Sequence, residues 1–358
     1  AAYLINNFSG DVGALLIDAI DRGTLKDLDL IIMDEKDPPD CRDEEMLQKA
    51  QDLNGFFNAC PSVLYCLTKL SLYNACFDQL DIHHILFDFC KQLKHLALFH
   101  CDAGRGSIWK IDAPHSKLGI LELYTCCLEK LEVVCLPKLE KLHWDTWISH
   151  YSPLSFGFVP SLRQLNLSCG ATVHHKGFNL SELLHGTSDI HTLTLDFQGE
   201  KLWMHREIRQ LRTAFNKIRK LYVHGIFVEF DLLWTIAFLE AAPSVELFHI
   251  QMWEHKCDVD DEARRRTFTE RINPSWELES VGSKNLLLTG LQLVGFLALK
   301  QQITFIRAVL ERAPNLQRVR TLSHVRTEDC DAISTPWCSS TGLVFPKSKD
   351  EQDAIVKQ

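Results

Sequence analysis

The chain has 358 residues, of which 46% are hydrophobic and 24% are charged, a balance typical of a globular protein that buries a large core. Its formal net charge of -9 argues against a nucleic-acid partner, because a phosphate-binding surface needs clustered lysine and arginine. The thirteen cysteines lie scattered inside apolar runs, which favours reduced thiols and a cytoplasmic or nuclear location. No apolar run approaches the roughly 20 residues that span a bilayer, so we expect no membrane contact.

The pattern L-x-x-L-x-L recurs along the chain with conservative replacements. An early copy falls at Leu25, Leu28 and Leu30. Seven copies then follow with their first positions 21 to 28 residues apart, and these first positions are Leu67, Leu93, Leu118, Leu139, Leu162, Ile190 and Ile218. Weaker copies begin at Val245, Leu288 and Leu316.

Steps of 20 to 29 residues around this pattern are typical of a leucine-rich repeat, in which each coil contributes one short strand and one convex segment. A single coil cannot bury its leucines, whereas stacked coils form a continuous core under a parallel sheet. The period of about 3.6 in Ile208, Leu211 and Phe215, and again in Ile303, Ile306 and Leu310, predicts convex helices. We therefore predict an α/β leucine-rich-repeat solenoid with a parallel concave sheet of about ten strands.

The rhythm of the repeat divides the chain. We expect the array to cover residues 1–322, with charged insertions near 34–58 and 251–283. The segment 284–322 forms its end, and residues 323–358, which lack the motif, are expected to form an irregular cap or tail.

The residues between the strand leucines are predicted to face outward on the concave side, because side chains alternate along a strand. Tyr73, Phe99 and Tyr124 share one motif position in successive copies and should form an aromatic stripe. The stripe either anchors a partner or covers the leucines beneath it. The full predicted partner-binding set is Tyr73, His95, Phe99, Tyr124, His143, Asp145, Tyr222 and His224.

Catalytic and metal-binding patterns are not found in the sequence. It has sixteen histidines and thirteen cysteines but no C-x-x-C pair and no H-E-x-x-H. Cys101 and Cys126 occupy the ninth position of their repeats and are interpreted as buried turn residues. The acidic run at 258–262 lacks the glycine and the spaced glutamate of a calcium loop. We expect no enzymatic activity, no cofactor and no metal.

Several segments resemble the leucine-rich-repeat region of plant F-box proteins, in particular the large grass set. They are NACPSVLYCLTKLSLYNACF, CKQLKHLALFHCDAG, APHSKLGILELYTCCLEKL and FVPSLRQLNLSCG. The later LQLVGF and ITFIRAVLERAPNLQRV are similar to the FBD domain that follows such repeats. The resemblance covers roughly residues 12 to 322, and its strongest part is the order of the segments.

The resemblance implies a protein-binding, substrate-recognition module of a cullin-based (SCF-type) ubiquitin ligase. A protein substrate would lie on the concave face, and the SCF adaptor would bind an F-box that we expect outside this chain. Two alternatives stay open, the sensor region of an intracellular plant immune receptor and a small-molecule sensor.

Overall fold

The computed structural model of the chain describes residues 2–5, 10–36, 40–78, 81–104, 106–147, 149, 151–169, 176–187, 189–199, 202–205, 207–228, 230–254, 286–322 and 326–327. The chain divides into two compact units, residues 1–165 with 183–189 and residues 166–182 with 190–358. Each unit contains parallel strands with helices between them, which confirms the predicted α/β leucine-rich-repeat class.

The first unit is built from strands, three α-helices and a π-helix at His84–Phe89. In chain order the strands are β1 (Ala2–Ile5), β2 (Leu28–Met33), β3 (Leu67–Tyr73), β4 (His95–Phe99), β5 (Ile108–Asp112), β6 (Ile120–Tyr124), β7 (Lys130–Cys135), β8 (Lys141–Asp145), β9 (Leu154–Phe158) and β10 (Gln164–Ser168), of which residues 166–168 belong to the second unit. The helices are α1 (Gly10–Asp21), α2 (Asp43–Ala59) and α3 (Pro61–Cys66). The main sheet of this unit pairs β1, β2, β3, β4, β6 and β8 in that order, and every pair is parallel.

The motif leucines form the core under this sheet. Leu70, Leu96, Leu121 and Leu142 hold equivalent positions in successive strands, and each is 0% exposed. Because side chains alternate along a strand, the residues between these leucines lie on the opposite side of the sheet, which we call the open face. The open face corresponds to the concave side predicted from the sequence.

Each of these strands ends in the same turn. Asn74, His100, Thr125 and Thr146 occupy the eighth motif position and adopt left-handed backbone, with φ between 49° and 54°. In the first three, the backbone N–H donates to the carbonyl of the last residue of the next strand, at 2.8 to 3.0 Å. The turn thus satisfies a polar group that would otherwise be lost at the strand end, and it repeats the geometry from coil to coil.

The convex layer differs from the prediction in the middle of the unit. Instead of helices, strands β5, β7 and β9 form a second parallel sheet of three strands. The segments Ile-Trp-Lys-Ile-Asp and Lys-Leu-Glu-Val-Val-Cys alternate in burial, with Trp109, Leu131 and Val133 facing the core. The repeat starting at Leu118 is 21 residues long, which leaves room for a short convex strand but not for a full helix.

The N-terminal coil begins later than predicted. The sheet pairs Leu30 with Leu70 and Ile32 with Leu72, so the copy predicted at Leu25, Leu28 and Leu30 is wrong by two residues along the strand. Leu25 lies in the turn after α1, where its backbone N–H donates to the carbonyl of Ala19. Leu28, Leu30 and Ile32 all face inward, so the two-residue spacing of the motif fits more than one register along this strand.

The predicted insertion near 34–58 contains the helix α2. Six of its residues are buried, among them Met46, Leu53 and Phe57, so the helix packs against the core rather than standing in solvent. Its first turn carries Asp43, Glu44 and Glu45, and such acidic residues stabilise a helix N-terminus. The sequence predicted a solvated insertion here because the segment begins with a run of acidic residues.

The second unit repeats the arrangement with longer convex segments. Its strands are β11 (Thr192–Asp196), β12 (Lys220–Phe227), β13 (Leu247–Glu254), β14 (Gly290–Val294), β15 (Arg318–Leu322) and β16 (Arg326–Thr327). Strands β11 to β15 pair in sequence order, all parallel, and β16 pairs with β13. The helices are α4 (Leu180–Leu183), α5 (Ile208–Phe215), α6 (Ile236–Ala241) and α7 (Lys300–Arg312), so both helices predicted from the 3.6-residue period are confirmed.

Large aromatic side chains fill the core of the second unit. Phe197, Phe215 and Phe238 are 0% exposed, as is Trp203, and Trp234 is 1% exposed. Most of the predicted insertion at 251–283 and of the predicted tail at 323–358 lies outside the described residues, although Arg326–Thr327 of the tail form β16.

Candidate protein-binding face

Three aromatic rings stack on the open face of the first unit. The sheet register places Tyr73 beside Phe99 and Phe99 beside Tyr124, each at the last position of its strand. The ring centroids are 4.2 Å and 4.6 Å apart, and the ring planes differ by only 4° and 2°. The aromatic stripe predicted from one shared motif position is therefore a continuous stack, which we call the aromatic stack.

His143 extends the aromatic stack from the neighbouring row. In the register it pairs with Glu122, yet its ring lies 4.8 Å from that of Tyr124 at an angle of 38°. Burial lowers the pKa of His143 below its ordinary value, since an imidazolium is disfavoured away from water, and the nearby Asp145 only partly offsets this. Burial also raises the pKa of Tyr124 to about 12, with Glu122 and Asp145 adding to the effect. Both rings are neutral at physiological pH.

A charged group lies beside the stack. Glu122 accepts a hydrogen bond from Lys141 Nζ at 2.7 Å and lies 2.8 Å from His95 Nε2. Burial pushes the pKa of Glu122 upward, but the hydrogen bonds from Lys141 and His95 outweigh it and hold the pKa below its usual value. The carboxylate stays ionised and holds both of its partners in place across three strands.

Between the aromatic stack and Glu122, the open face carries short side chains. Ser71 and Ala97 pair in the register and are 5% and 3% exposed. They lie one row from the stacked rings of Tyr73 and Phe99, whose longer side chains rise above them. The result is a shallow recess with an aromatic wall, a floor of small side chains and a charged end at Glu122.

The candidate residues divide between the two units. Tyr73, His95, Phe99, Tyr124, His143 and Asp145 lie together on strands β3 to β8 of the first unit, and Tyr222 and His224 lie on β12 of the second. Asp145 ends the row that contains the aromatic stack, next to Tyr124. Sequence reasoning placed Glu122 and Lys141 on the same face but did not select them, because it favoured aromatic and histidine side chains.

In the second unit, Tyr222 and His224 meet a histidine that was not selected. His249 lies 5.3 Å from the ring of Tyr222 and 5.2 Å from that of His224. Burial and, to a lesser extent, the neighbouring His249 together lower the pKa of His224 to about 4. Burial also lowers the pKa of His249, and a hydrogen bond with Gln292 offsets part of this effect. The motif Val245, Phe248, Ile250 already implied that His249 faces outward, so a signal for it was present in the sequence.

The cysteines behave as the turn interpretation predicts. Cys101 is 2% exposed and Cys126 is 0% exposed, and their thiols donate to the carbonyls of Leu72 and Leu98 at 3.6 Å and 3.5 Å. Burial raises the pKa of the Cys101 thiol to about 12. Among the described residues, no three histidine, cysteine or acidic side chains come close enough together to hold a metal ion. No helix in the described ranges is long and apolar enough to cross a bilayer.

A charged pocket of about 290 Å³ lies beside α2. Its wall contains a buried ion pair, Lys49 Nζ to Asp34 Oδ2 at 2.9 Å, and Lys49 also donates to the carbonyl of Met33 at 2.8 Å. At its rim Glu45 accepts hydrogen bonds from Lys36 and Arg42, which lower the pKa of Glu45 to about 2. These ion pairs hold the helix against the end of β2, so we assign the charged residues of this pocket a structural role.

Comparison with known proteins identifies one related family. A family model described as At1g61320/AtMIF1, LRR domain, matches residues 57–346, which includes every repeat from Leu67 onward. A search of curated proteins found no match.

Proposed function

The chain belongs to the leucine-rich-repeat family described as At1g61320/AtMIF1, LRR domain. We propose that it is the substrate-recognition part of an F-box ubiquitin ligase in a plant cell. Leucine-rich-repeat domains of this kind are protein-binding modules, so the family membership supports a protein partner of some kind. The ligase assignment is supported by the resemblance of the repeat segments and of the segment 284–322 to F-box proteins. Ubiquitin transfer would be performed by other subunits in the cytoplasm or nucleus.

The observation that supports the partner site is the aromatic stack. Leu70, Leu96 and Leu121 already close the core beneath it at 0% exposure, so the core does not need a second apolar layer. Tyr73, Phe99 and Tyr124 nevertheless keep large apolar rings partly in solvent on the open face. Rigid aromatic side chains of this kind dominate binding energy at protein interfaces because ordering them on binding costs little entropy.

The recess beside the stack suggests how a partner would be oriented. An apolar side chain of the substrate would pack on the floor at Ala97 and against the ring of Phe99. A polar group beside it would meet Glu122, which Lys141 and His95 hold in place. Apolar contact would supply affinity, and the fixed carboxylate would supply selectivity.

The proposal is tested by affinity purification of the full-length protein from plant cells. Wild type should recover the cullin adaptor and one or more substrate proteins. A Phe99→Ala/Tyr124→Ala variant should keep the adaptor and lose the substrates, with affinity for a recovered substrate reduced about thirtyfold, or ~2 kcal/mol. Phe158→Ala is the matched control, because Phe158 is 58% exposed and lies on β9, away from the open face.

Two results would contradict the proposal in different ways. Absence of the adaptor from the wild-type purification would reject the ligase assignment and leave protein binding intact. Retention of every substrate by the stack variant would reject the aromatic stack as the binding site.

A further inference from the structure

The open face of the second unit carries three exposed cations. Lys220 lies on β12, and Arg318 and Arg320 lie on β15, all at outward positions of the register. Arg320 shares a row with Tyr222, His249 and Gln292, and Arg318 shares the next row with Lys220, Leu247 and Gly290. The positive charges therefore lie in the row of Tyr222 and His249 and in the row before it, while His224 lies one row further along β12.

These cations have no carboxylate partners within the described part of the chain. Asp196 is the single acidic residue at the outward positions of strands β11 to β15. Its carboxylate accepts a hydrogen bond from the backbone N–H of Gln198 at 2.9 Å, which turns it toward the strand end. The face is locally cationic in a chain whose net charge is -9.

The chemistry of the cations defines the ligand that suits them. A guanidinium donates two parallel hydrogen bonds to a carboxylate, and a lysine ammonium also donates to one. His224 Nε2 and His249 Nδ1 have no hydrogen-bond partner among the described atoms, but both are shielded from the surface and do not reach a ligand on the open face.

We infer that the open face of the second unit binds an acidic peptide segment of a protein partner. Aspartate or glutamate side chains of the segment lie against Arg318 and Arg320 on β15 and against Lys220 on β12, and the segment crosses β13 and β14 between them. A short acidic segment fits this local charge, whereas the overall negative charge of the chain repels a long polyanion. None of these residues belongs to the aromatic stack, so the inference does not rest on the proposed function.

Fluorescence polarisation with a fluorescein-labelled peptide rich in glutamate and aspartate tests the inference. The same peptide with every acid replaced by its amide is the ligand control, and a single-stranded oligonucleotide of similar charge is the third probe. The acidic peptide should bind, and added salt should weaken its binding because the contacts are exposed and electrostatic. Arg318→Gln/Arg320→Gln should lower its affinity about tenfold.

The matched variant is Lys300→Gln/Arg307→Gln, which removes the same two charges from exposed positions on α7. It should bind the acidic peptide as wild type does, and so should Phe99→Ala. Equal losses in the two double variants would overturn the inference, because net charge alone would then explain binding. It would equally be overturned by no binding of the acidic peptide, by equal binding of the amide peptide, or by tighter binding of the oligonucleotide.

Discussion

Replacing Phe99 with alanine should destabilise the first unit as well as weaken binding, because Phe99 is the middle ring of the aromatic stack. Its ring contacts that of Tyr73 at 4.2 Å and that of Tyr124 at 4.6 Å, both nearly parallel. Each such ring pair contributes about 0.5–1.5 kcal/mol. The loss of two pairs predicts a decrease of ~1–3 kcal/mol in the free energy of unfolding.

Tyr73 provides the internal comparison. Among the described residues its ring stacks with that of Phe99 alone, so Tyr73→Ala should cost about half as much, ~0.5–1.5 kcal/mol. Leu96 belongs to the core beneath and is 0% exposed, and Leu96→Ala should cost more than either, about 2–5 kcal/mol. The predicted order of destabilisation is therefore Leu96, then Phe99, then Tyr73.

Urea unfolding followed by tryptophan fluorescence measures these differences by linear extrapolation. A double-mutant cycle on Tyr73 and Phe99 isolates the contact between them and should give a coupling of ~0.5–1.5 kcal/mol. Phe99→Leu keeps apolar volume and removes the ring, so it separates stacking from burial. A coupling of zero, or equal losses for Tyr73→Ala and Phe99→Ala, would refute the additive account of the stack.

Three further predictions concern other parts of the chain. The free energy of unfolding should fall as the pH drops from 6.5 toward about 4, because His224 is protonated near pH 6.5 in the unfolded chain but stays neutral down to about pH 4 in the folded chain. The decrease is on the order of 2–3 kcal/mol, and unfolding curves of His224→Phe over the same pH range should not show it. Gly225→Ala should destabilise the fold by ~2 kcal/mol or more, since φ is 65° and the added Cβ would collide with the Gln198 backbone nitrogen. Gly55→Ala in α2 should instead stabilise by ~0.5–1 kcal/mol, because the added Cβ meets nothing within 4 Å. Equal thermal midpoints for the two variants would contradict this prediction. All thirteen cysteines should react with a thiol reagent after unfolding without reductant, with Cys101 and Cys126 reacting last in the native state; a substantially lower titre would indicate disulfides and overturn the expected compartment.

The sequence was sufficient to predict the strands of the main sheet between Leu67 and Val223. The motif spacing fixes which residues alternate inward, and Tyr73, Phe99 and Tyr124 fall on one row because each ends its strand at the same motif position. Periodicity fails where one face of a strand carries three successive apolar residues, as Leu28, Leu30 and Ile32 do, because the two-residue spacing then fits more than one register. There only the pairing with β3 selects the register.

The convex layer and the charged group required three-dimensional information. A segment such as Ile108–Asp112 is too short for its period to be recognised, and it becomes a strand because β7 lies beside it. Glu122, Lys141 and His95 come from three coils, and no local pattern links residues so far apart in the chain. His143 joins the stack through its side-chain direction rather than its row, which sequence spacing does not determine.

The convex sheet of β5, β7 and β9 has a mechanical consequence for the surface on the other side. A helix is about 10 Å wide, whereas neighbouring strands lie about 4.8 Å apart, so a coil with a helix on its back is wedge-shaped. Coils with a strand on each side are close to uniform in thickness and stack without wedging. The rings of Phe99 and Tyr124, which belong to two of these coils, lie within 2° of parallel. This part of the sheet therefore offers a partner a nearly flat and rigid surface. Such a surface is better suited to an extended segment lying along it than to a bulky domain that needs a concave surface.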